Sequence, residues 1–290
     1  MKNRVKAATY EKDRVTLNEL CSDLGIKVPR KLRDIADEER KVSFRSKVVQ
    51  EGDICVIIRP AEEFRARDTR TVHQYELANE RGASLIIMDK DAFRKARLKK
   101  GDVPVILVDD MGNRIREFFD KIRFSQDARV VMITGSIGKT TTKDLCHTVV
   151  KNRYRTFANS KNTNTPHQIA KHLFYNTNDE NELYIQEAGA GYWGSVDFSA
   201  EMLKPDIFIL TNVLEHHLEA YRNFENIFNE KISADRYMSD DGLIITNYDD
   251  ENIRNHSFRH RVVSFSVNYE NADYRALNIR QDNEKLCFDV

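Results

Sequence analysis

The residues with the clearest chemical potential lie at 130–142, which reads VVMITGSIGKTTT. An apolar stretch leads into a turn with Gly135 and Gly138, and Lys139 and Thr140 follow directly. Glycines let the backbone wrap a phosphate, amides at a helix N-terminus point at it, and a lysine adds positive charge. The pattern Gly-x-x-Gly-Lys-Thr is shorter between its glycines than the common phosphate-binding loop. It predicts a site that binds nucleotide phosphates, in which Thr140 is a ligand of Mg²⁺. The alternative is an ordinary glycine-rich turn between a strand and a helix.

Polar side chains follow the later apolar runs at the points where strands are expected to end. These residues are Glu187, Asn212, the pair His216 and His217, and Asn247. In open α/β sheets, ligands bind beyond the carboxyl ends of the strands, so we expect these side chains to converge on the glycine-rich turn. Each also has a simpler interpretation: Glu187 as a solvated loop carboxylate, Asn247 as a turn former, and one histidine as a surface or packing residue.

Lys231 interrupts an otherwise apolar helix stripe. After a cap at Asn223, the stripe consists of Phe224, Ile227, Lys231 and Ala234. Burial of a lysine lowers its pKa and makes a neutral amine available for chemistry. The alternative is a lysine at the edge of the stripe whose ammonium group reaches solvent.

The pattern around these residues predicts two α/β units that position them. In the first half, a capping box at Thr16–Glu19 and a stop at Gly25 predict a short helix. Strands are predicted there at 53–58, 84–88 and 103–108, with helices at 66–81 and 111–122. In the second half, strands are predicted at 129–134, 183–187, 206–211, 243–246 and 262–265, and helices at 140–152, 165–175, 195–203 and 223–239. Such alternation is typical of a mostly parallel sheet covered on both faces.

The polar segment 122–128 separates the two halves, so we predict domains at 1–124 and 125–290. The fold class is therefore a small N-terminal α/β domain followed by an α/β sheet domain with the phosphate loop.

Composition excludes several function classes. Lys plus Arg and Asp plus Glu number 46 each, so the chain has no overall positive charge to attract nucleic acid. The four cysteines have neither disulfide-like nor zinc-like spacing, and are expected to be reduced and mostly packed. No apolar run approaches the ~18 residues of a membrane span, and no signal peptide is recognisable. We expect a cytoplasmic protein that neither enters a membrane nor binds nucleic acid.

Taken together, these segments resemble the Mur ligases, most closely the branch that adds D-alanyl-D-alanine to a UDP-linked muramoyl tripeptide of the bacterial cell wall. In chain order, the matching segments are 133–143, 186–190, 204–206, 211–212, 217–219 and 247–250. In the first half, Ser46, Gly52 and Asp53 resemble part of the signature of the family's UDP-binding domain.

The resemblance implies specific roles for these residues. The ATP phosphates would be held by Gly135, Ser136, Gly138, Lys139, Thr140 and Thr141, and Asn247 would lie on the adenine side. One Mg²⁺ would bind Thr140 and Glu187, and a second would bind His217 and Lys231, the latter as a carbamate formed from CO₂. Lys139, His217 and Lys231 would be catalytic. The UDP-linked substrate would contact Ser46, Asn162, Asn164 and Thr165.

The implied reaction is ATP-dependent ligation of a UDP-N-acetylmuramoyl-peptide carboxylate to an amino acid or dipeptide through an acyl phosphate. Departures from the family pattern include Arg45 and Lys47 in the UDP signature and Gln168 where a glycine is usual. The sequence ends at Val290, before the family's third domain, so we expect either a fragment of a longer ligase, or a chain that needs a partner to supply that domain, or a protein that no longer ligates. Two alternatives are a truncated, non-ligating nucleotide-binding regulator or scaffold, and a P-loop kinase or GTPase. The second leaves Glu187, His217 and Lys231 unexplained.

Overall fold

The computed structural model describes residues 14–58, 69–99, 101–124, 127–160, 163–176, 180–215, 218–282 and 285–290. Within these ranges the chain forms a five-stranded sheet, a seven-stranded sheet and a two-stranded hairpin. The predicted α/β fold class is confirmed. Among the described residues, no helix combines the length and the apolar character needed to span a membrane.

The first sheet has the order β1-β2-β3-β4-β5, with β1 antiparallel to β2 and the other neighbours parallel. Its strands are β1 (Arg14–Val15), β2 (Arg40–Ser43), β3 (Ile54–Ile57), β4 (Leu85–Asp89) and β5 (Val105–Val108). Its helices are α1 (Leu17–Asp23), α2 (Thr69–Glu80), α3 (Lys90–Lys95) and α4 (Met111–Arg123), with 3-10 helices at Arg30–Ile35 and Ser46–Val48.

Local chemistry explains where two of these elements begin and end. The predicted capping box is present, because Glu19 N donates to Thr16 Oγ1 at 3.1 Å and Thr16 N donates to Glu19 Oε2 at 2.8 Å. Gly25 follows the helix at φ +61°, a conformation that glycine adopts without strain. Asp53 is buried and accepts hydrogen bonds from Ser43 Oγ and Gln50 N, so it ties β2 to the turn before β3.

The second sheet is parallel throughout and has the order β12-β11-β10-β9-β6-β8-β7. Its strands are β6 (Arg129–Thr134), β7 (Thr156–Ala158), β8 (Leu183–Glu187), β9 (Ile207–Leu210), β10 (Leu243–Asn247), β11 (Arg261–Ser266) and β12 (Tyr274–Arg275). Its helices are α5 (Lys139–Val150), α6 (Pro166–Asn176), α7 (Ser195–Leu203), α8 (Leu218–Tyr221), α9 (Phe224–Ile232) and α10 (Glu251–Arg254), with a 3-10 helix at Ser233–Tyr237. The hairpin pairs β13 (Leu277–Asp282) with β14 (Lys285–Asp289).

The predicted helix at 223–239 is wrong in its second half, where the α-helix ends at Ile232 and a 3-10 turn follows. Ser233 Oγ donates to the carbonyl oxygen of Glu230 at 2.7 Å and so competes with the regular helical hydrogen bond. The apolar stripe is unaffected, because Ile227 and Ala234 are both buried.

The main core packs helices α6, α7, α9 and α10 on one face of the second sheet, and continues into the first sheet through α4. On the opposite face, α5 covers a smaller cluster that includes Val131, Ile133, Ile185 and Ile209. The four cysteines are unpaired, and Cys21 and Cys55 are buried. From β6 the chain runs outward to β7 and returns to β8, and it then crosses to β9 on the other side. The carboxyl end of β6 is thus a topological switch point, where ligands of such sheets bind.

Candidate active site

The loop between β6 and α5 has the conformation that its glycines permit. Gly135 lies at φ +149°, and a Cβ atom there would lie 1.9 Å from Thr211 Oγ1. Gly138 is the residue before the first turn of α5 and lies at φ +83°. The loop therefore requires glycine for space at Gly135 and for backbone conformation at both positions.

The segment after β9 holds this loop in place. Ser136 N donates to Asn212 O at 3.0 Å, and Ile137 N donates to Asn212 Oδ1 at 3.0 Å. The carbonyl oxygen of Ile137 accepts from Asn212 Nδ2 at 3.1 Å and from Thr211 Oγ1 at 2.7 Å. The sequence indicated Asn212 only as a polar residue at a strand end, whereas its contacts show that it shapes the loop.

Lys139 is folded back onto the loop that it follows. Its Nζ donates to the carbonyl oxygens of Gly135 at 2.8 Å and Ser136 at 3.1 Å. Burial lowers the pKa of Lys139, and the nearby negative charge of Glu187 opposes this shift. The ammonium group is thus positioned at the mouth of the loop, where it can exchange carbonyl contacts for phosphate oxygens.

Glu187 ends β8 beside the first turn of α5. It is 1% exposed, so its interpretation as a solvated loop carboxylate is wrong. Its Oε2 accepts from Thr140 Oγ1 at 2.8 Å and its Oε1 accepts from Asn164 Nδ2 at 2.7 Å. Thr141, by contrast, is exposed on the first turn of α5.

The pairing of Thr140 with Glu187 suits a magnesium ion. Mg²⁺ prefers hard oxygen ligands and is often held by few protein groups together with nucleotide phosphates and water. Among the described residues, no group of three or more His, Cys, Asp and Glu side chains could hold a metal by itself. A hydroxyl and a carboxylate side by side next to a phosphate loop therefore fit a metal that binds together with a nucleotide.

Lys231 lies inside the domain, on α9. It is 3% exposed, which contradicts the alternative that its ammonium group reaches solvent. Burial lowers its pKa to about 8, and the positive charge of Lys139 acts in the same direction, whereas Glu230 opposes both. The amine is therefore neutral in part of the molecules near pH 8, and its charge and that of Lys139 repel each other.

Glu230, next to Lys231, was not singled out by the sequence pattern. Its carboxylate accepts from Gly194 N at 2.8 Å and Val196 N at 2.7 Å, so it caps the N-terminus of α7. Burial raises the pKa of Glu230 to about 7 despite these two hydrogen bonds. Glu230 thus fixes α9 against α7. The sequence around Glu230 gave no signal for this contact, because the two amides that it binds lie at the start of a different helix.

The segment after β10 has clear structural functions. Asn247 Oδ1 accepts from Asp249 N at 2.9 Å, so Asn247 does form a turn. Asp250 accepts from Val213 N at 2.8 Å and caps α10, while Asp249 accepts from Ser266 Oγ and the following backbone amides. These contacts tie the ends of β9, β10 and β11 together at the edge that carries the phosphate loop.

The residues predicted to meet the UDP-linked substrate lie in different places. Thr165 precedes α6, and both its N and its Oγ1 donate to Gln168 Oε1, at 3.2 and 2.7 Å. Gln168 therefore has a capping role where the family has a glycine. Ser46 is buried after β2 of the first sheet. Asn162 and His217, together with His216, lie outside the described residues.

Comparison with known proteins gives a family match over residues 133–290, to the Mur ligase middle domain. A relative from Bacillus subtilis (strain 168), named UDP-N-acetylmuramoyl-tripeptide--D-alanyl-D-alanine ligase, is 28% identical over 239 residues. That alignment covers 78% of this chain and 51% of the relative. A Rickettsia prowazekii relative of the same name is 27% identical, over 71% of this chain and 43% of that protein. The chain thus spans about half the length of these relatives.

Solved structures agree in fold. MurF from Acinetobacter baumannii has a TM-score of 0.64 and 20% identity, covering 95% of this chain and 58% of that one. MurF from Thermotoga maritima, solved in complex with ADP, has a TM-score of 0.59 and 24% identity, covering 86% and 55%. At this identity the likeness supports the arrangement of both sheets and helices.

Proposed function

Because this chain belongs to the Mur ligase family, we propose that it provides the ATP site of a ligase that joins a UDP-N-acetylmuramoyl-peptide carboxylate to an amine. The observation that carries the proposal is the contact between Thr140 and Glu187 beside the phosphate loop. A kinase or GTPase would also use the loop, but it would have no use for the buried Lys231. The names of the relatives point to a tripeptide donor and a D-alanyl-D-alanine acceptor.

In this proposal, the loop and Lys139 bind the ATP phosphates. The amides at the start of α5 point at the phosphates, and Lys139 Nζ leaves the carbonyl oxygens of Gly135 and Ser136 to neutralise phosphate charge. The substrate carboxylate attacks the terminal phosphoryl group, ADP leaves, and the resulting acyl phosphate is attacked by the amine with release of phosphate. The work of these residues is positioning and charge neutralisation.

Thr140 and Glu187 would hold Mg²⁺ in this site. The metal, when bound, would neutralise charge that develops on the transferred phosphoryl group. Glu187 is already oriented by two donors, Thr140 Oγ1 and Asn164 Nδ2, so its carboxylate is fixed before any ion arrives. His217 is proposed as a ligand of a second ion on the family resemblance alone.

Lys231 would act as a carbamate. Formation of a carbamate requires a neutral amine, and burial together with Lys139 lowers the pKa of Lys231 to about 8. The ammonium group first loses a proton, and the neutral nitrogen then bonds to the carbon of CO₂ and loses a second proton, so that a cation becomes an anion. We expect bicarbonate to restore activity to a bicarbonate-depleted preparation, and short carboxylic acids to restore part of the activity of Lys231→Ala. Wild-type rates for Lys231→Ala would contradict this role.

Other parts of the proposal rest on the family resemblance. The adenine would lie near Asn247, and the UDP-linked substrate would contact Ser46, Asn162, Asn164 and Thr165. The division into domains 1–124 and 125–290 remains a prediction. A separate chain that binds the acceptor amine belongs to the same proposal, and reconstitution with candidate partner chains tests it.

Release of ADP that depends on the acceptor is the decisive test. The full chain is incubated with ATP, Mg²⁺ and UDP-N-acetylmuramoyl-tripeptide, with and without D-alanyl-D-alanine, and with Lys139→Ala as the inactive control. Ligase activity predicts ADP release only when the donor and the acceptor are both present. Tight ADP binding without such release, also after reconstitution, is the result expected of the non-ligating alternative. Release of ADP without an acceptor would favour a nucleotide hydrolase or kinase.

A further inference from the structure

The helix after the phosphate loop carries a second lysine, Lys143, which the proposed reaction does not use. Its side chain is 1% exposed, and Nζ donates to the backbone carbonyl oxygen of Asn159 at 2.7 Å. Its ion-pair partner Asp144, at 3.3 Å, is 68% exposed. Removing an ammonium group from water is costly, and methionine would fill the same space without that cost. The presence of a lysine at this buried position therefore requires an explanation, and its hydrogen bond to Asn159 indicates one.

Asn159 connects this lysine to the backbone of the proposed metal ligand. Its side chain is also 1% exposed, and Oδ1 accepts from Glu187 N at 2.8 Å. Its Nδ2 donates to the carbonyl oxygens of Thr163 at 2.9 Å and Glu187 at 3.3 Å. One side-chain amide thus fixes both the last residue of β8 and the segment that precedes α6.

The same segment returns to the carboxylate of Glu187. Asn164 O accepts from Gly189 N at 2.8 Å, and Asn164 Nδ2 donates to Glu187 Oε1 at 2.7 Å. A Cβ atom on Gly189 would lie 2.6 Å from Asn164 Oδ1, so glycine is what allows this close approach. Glu187 is consequently held at its backbone by Asn159 and at its carboxylate by Asn164 and Thr140.

We propose that Lys143 and Asn159 are positioning residues that orient Glu187 for Mg²⁺. The proposal rests on the proposed function, because it takes Glu187 as a ligand of the nucleotide-bound metal. Lys143 holds the backbone of Asn159, and Asn159 holds both the backbone of Glu187 and the segment that delivers Asn164. Groups that orient a metal ligand in this way typically change metal affinity by about 10–100-fold when they are removed.

The test compares ADP binding with and without Mg²⁺. Calorimetry on the full chain gives the Kd of ADP in excess EDTA and in excess Mg²⁺. The Kd in EDTA divided by the Kd in Mg²⁺ is the ratio that measures how much the metal strengthens binding. We expect Asn159→Ala and Lys143→Met to lower this ratio about 10-fold relative to the wild type, with little change in the metal-free Kd. Lys151→Met, which removes an exposed lysine at the C-terminal end of the same helix, is the matched control and should keep the wild-type ratio.

Thermal unfolding of each variant separates positioning from a purely structural role. Variants that unfold at lower temperature but keep the wild-type ratio would overturn the proposal. If Lys143→Met does not fold, Asn159→Ala decides, because it leaves the carbonyl oxygen that accepts from Lys143 in place. A wild-type chain that binds ADP equally with and without Mg²⁺ would overturn the proposed function, and this inference with it. A wild-type ratio above one, unchanged in both variants, overturns this inference alone.

Discussion

Replacing Gly135 with alanine should damage the phosphate loop more than the same change at Gly138. At Gly135, φ is +149° and the added Cβ would lie 1.9 Å from Thr211 Oγ1 and 3.2 Å from Asn212 N. At Gly138, φ is +83° and the added methyl group meets nothing within 4 Å. Both changes thus place alanine in an unfavourable backbone conformation, and only the first adds a steric clash.

The contacts set the expected magnitudes. A left-handed conformation costs an alanine about 1–2 kcal/mol, which is the whole effect expected at Gly138. At Gly135, Thr211 must also turn away from the new methyl group, and it then loses its 2.7 Å hydrogen bond to the carbonyl oxygen of Ile137. That loss adds at least about 0.5–1.5 kcal/mol, or a further fall in Tm of about 1–6 °C at 2–4 °C per kcal/mol.

Thermal unfolding and ADP titration of both variants provide the assay, and Thr211→Ala provides the control. Because the clash is with Thr211 Oγ1, the double variant Gly135→Ala/Thr211→Ala should lose less stability than the sum of the two single losses. ADP affinity should fall in the same order as stability, since the loop backbone binds the phosphates. Equal Tm values for the two glycine variants, or strictly additive losses in the double variant, would refute the steric argument.

Three further changes test the individual charges of the site. Lys139→Ala should abolish binding of the nucleotide phosphates while leaving the fold intact, because the hydrogen bonds of its ammonium group to described residues go to carbonyl oxygens of its own loop; unchanged ATP affinity by calorimetry would contradict this. Glu187→Gln should weaken ADP binding more with Mg²⁺ than in EDTA, since the lost charge acts through the ion; equal losses would count against the assignment. In CO₂-free buffer, the free energy of unfolding of the wild type should rise relative to that of Lys231→Met between pH 8 and 10.5. In this range the Lys231 amine is protonated in the unfolded chain and has lost its proton in the folded chain. Parallel Tm-against-pH curves would exclude the lowered pKa.

Long apolar runs made most of the second sheet predictable. The strands at 129–134 and 183–187 and the helix at 195–203 have the predicted bounds, because each apolar or amphipathic run is bounded by glycine or polar residues. The three-residue β7, the short β12, and the hairpin β13–β14, which is largely exposed, have too few buried residues to leave a periodic pattern. The short α3 was missed for the same reason.

Site residues within one motif were predictable, whereas the contacts that shape the site were not. The amide of Ile137 bonds a side chain 75 residues away, and that of Glu187 bonds one 28 residues away. Periodicity reports only on neighbours along one element, so it gave no role to Asn159 or Lys143. Lys231 could be singled out from the sequence, because a charged residue among the apolar positions of one helix is visible without knowledge of distant contacts.

The electrostatics of the site connect nucleotide binding with the proposed modification of Lys231. Lys139 and Lys231 repel each other, and each has a pKa lowered by burial, while Glu187 favours the charged form of Lys139. Phosphate binding would stabilise the charged form of Lys139, because an opposite charge favours it. A carbamate on Lys231 reverses the sign of this interaction, so that the two residues attract. The same burial that makes unmodified Lys231 unfavourable as a cation would thus make it suitable for conversion into an anion that charged Lys139 attracts.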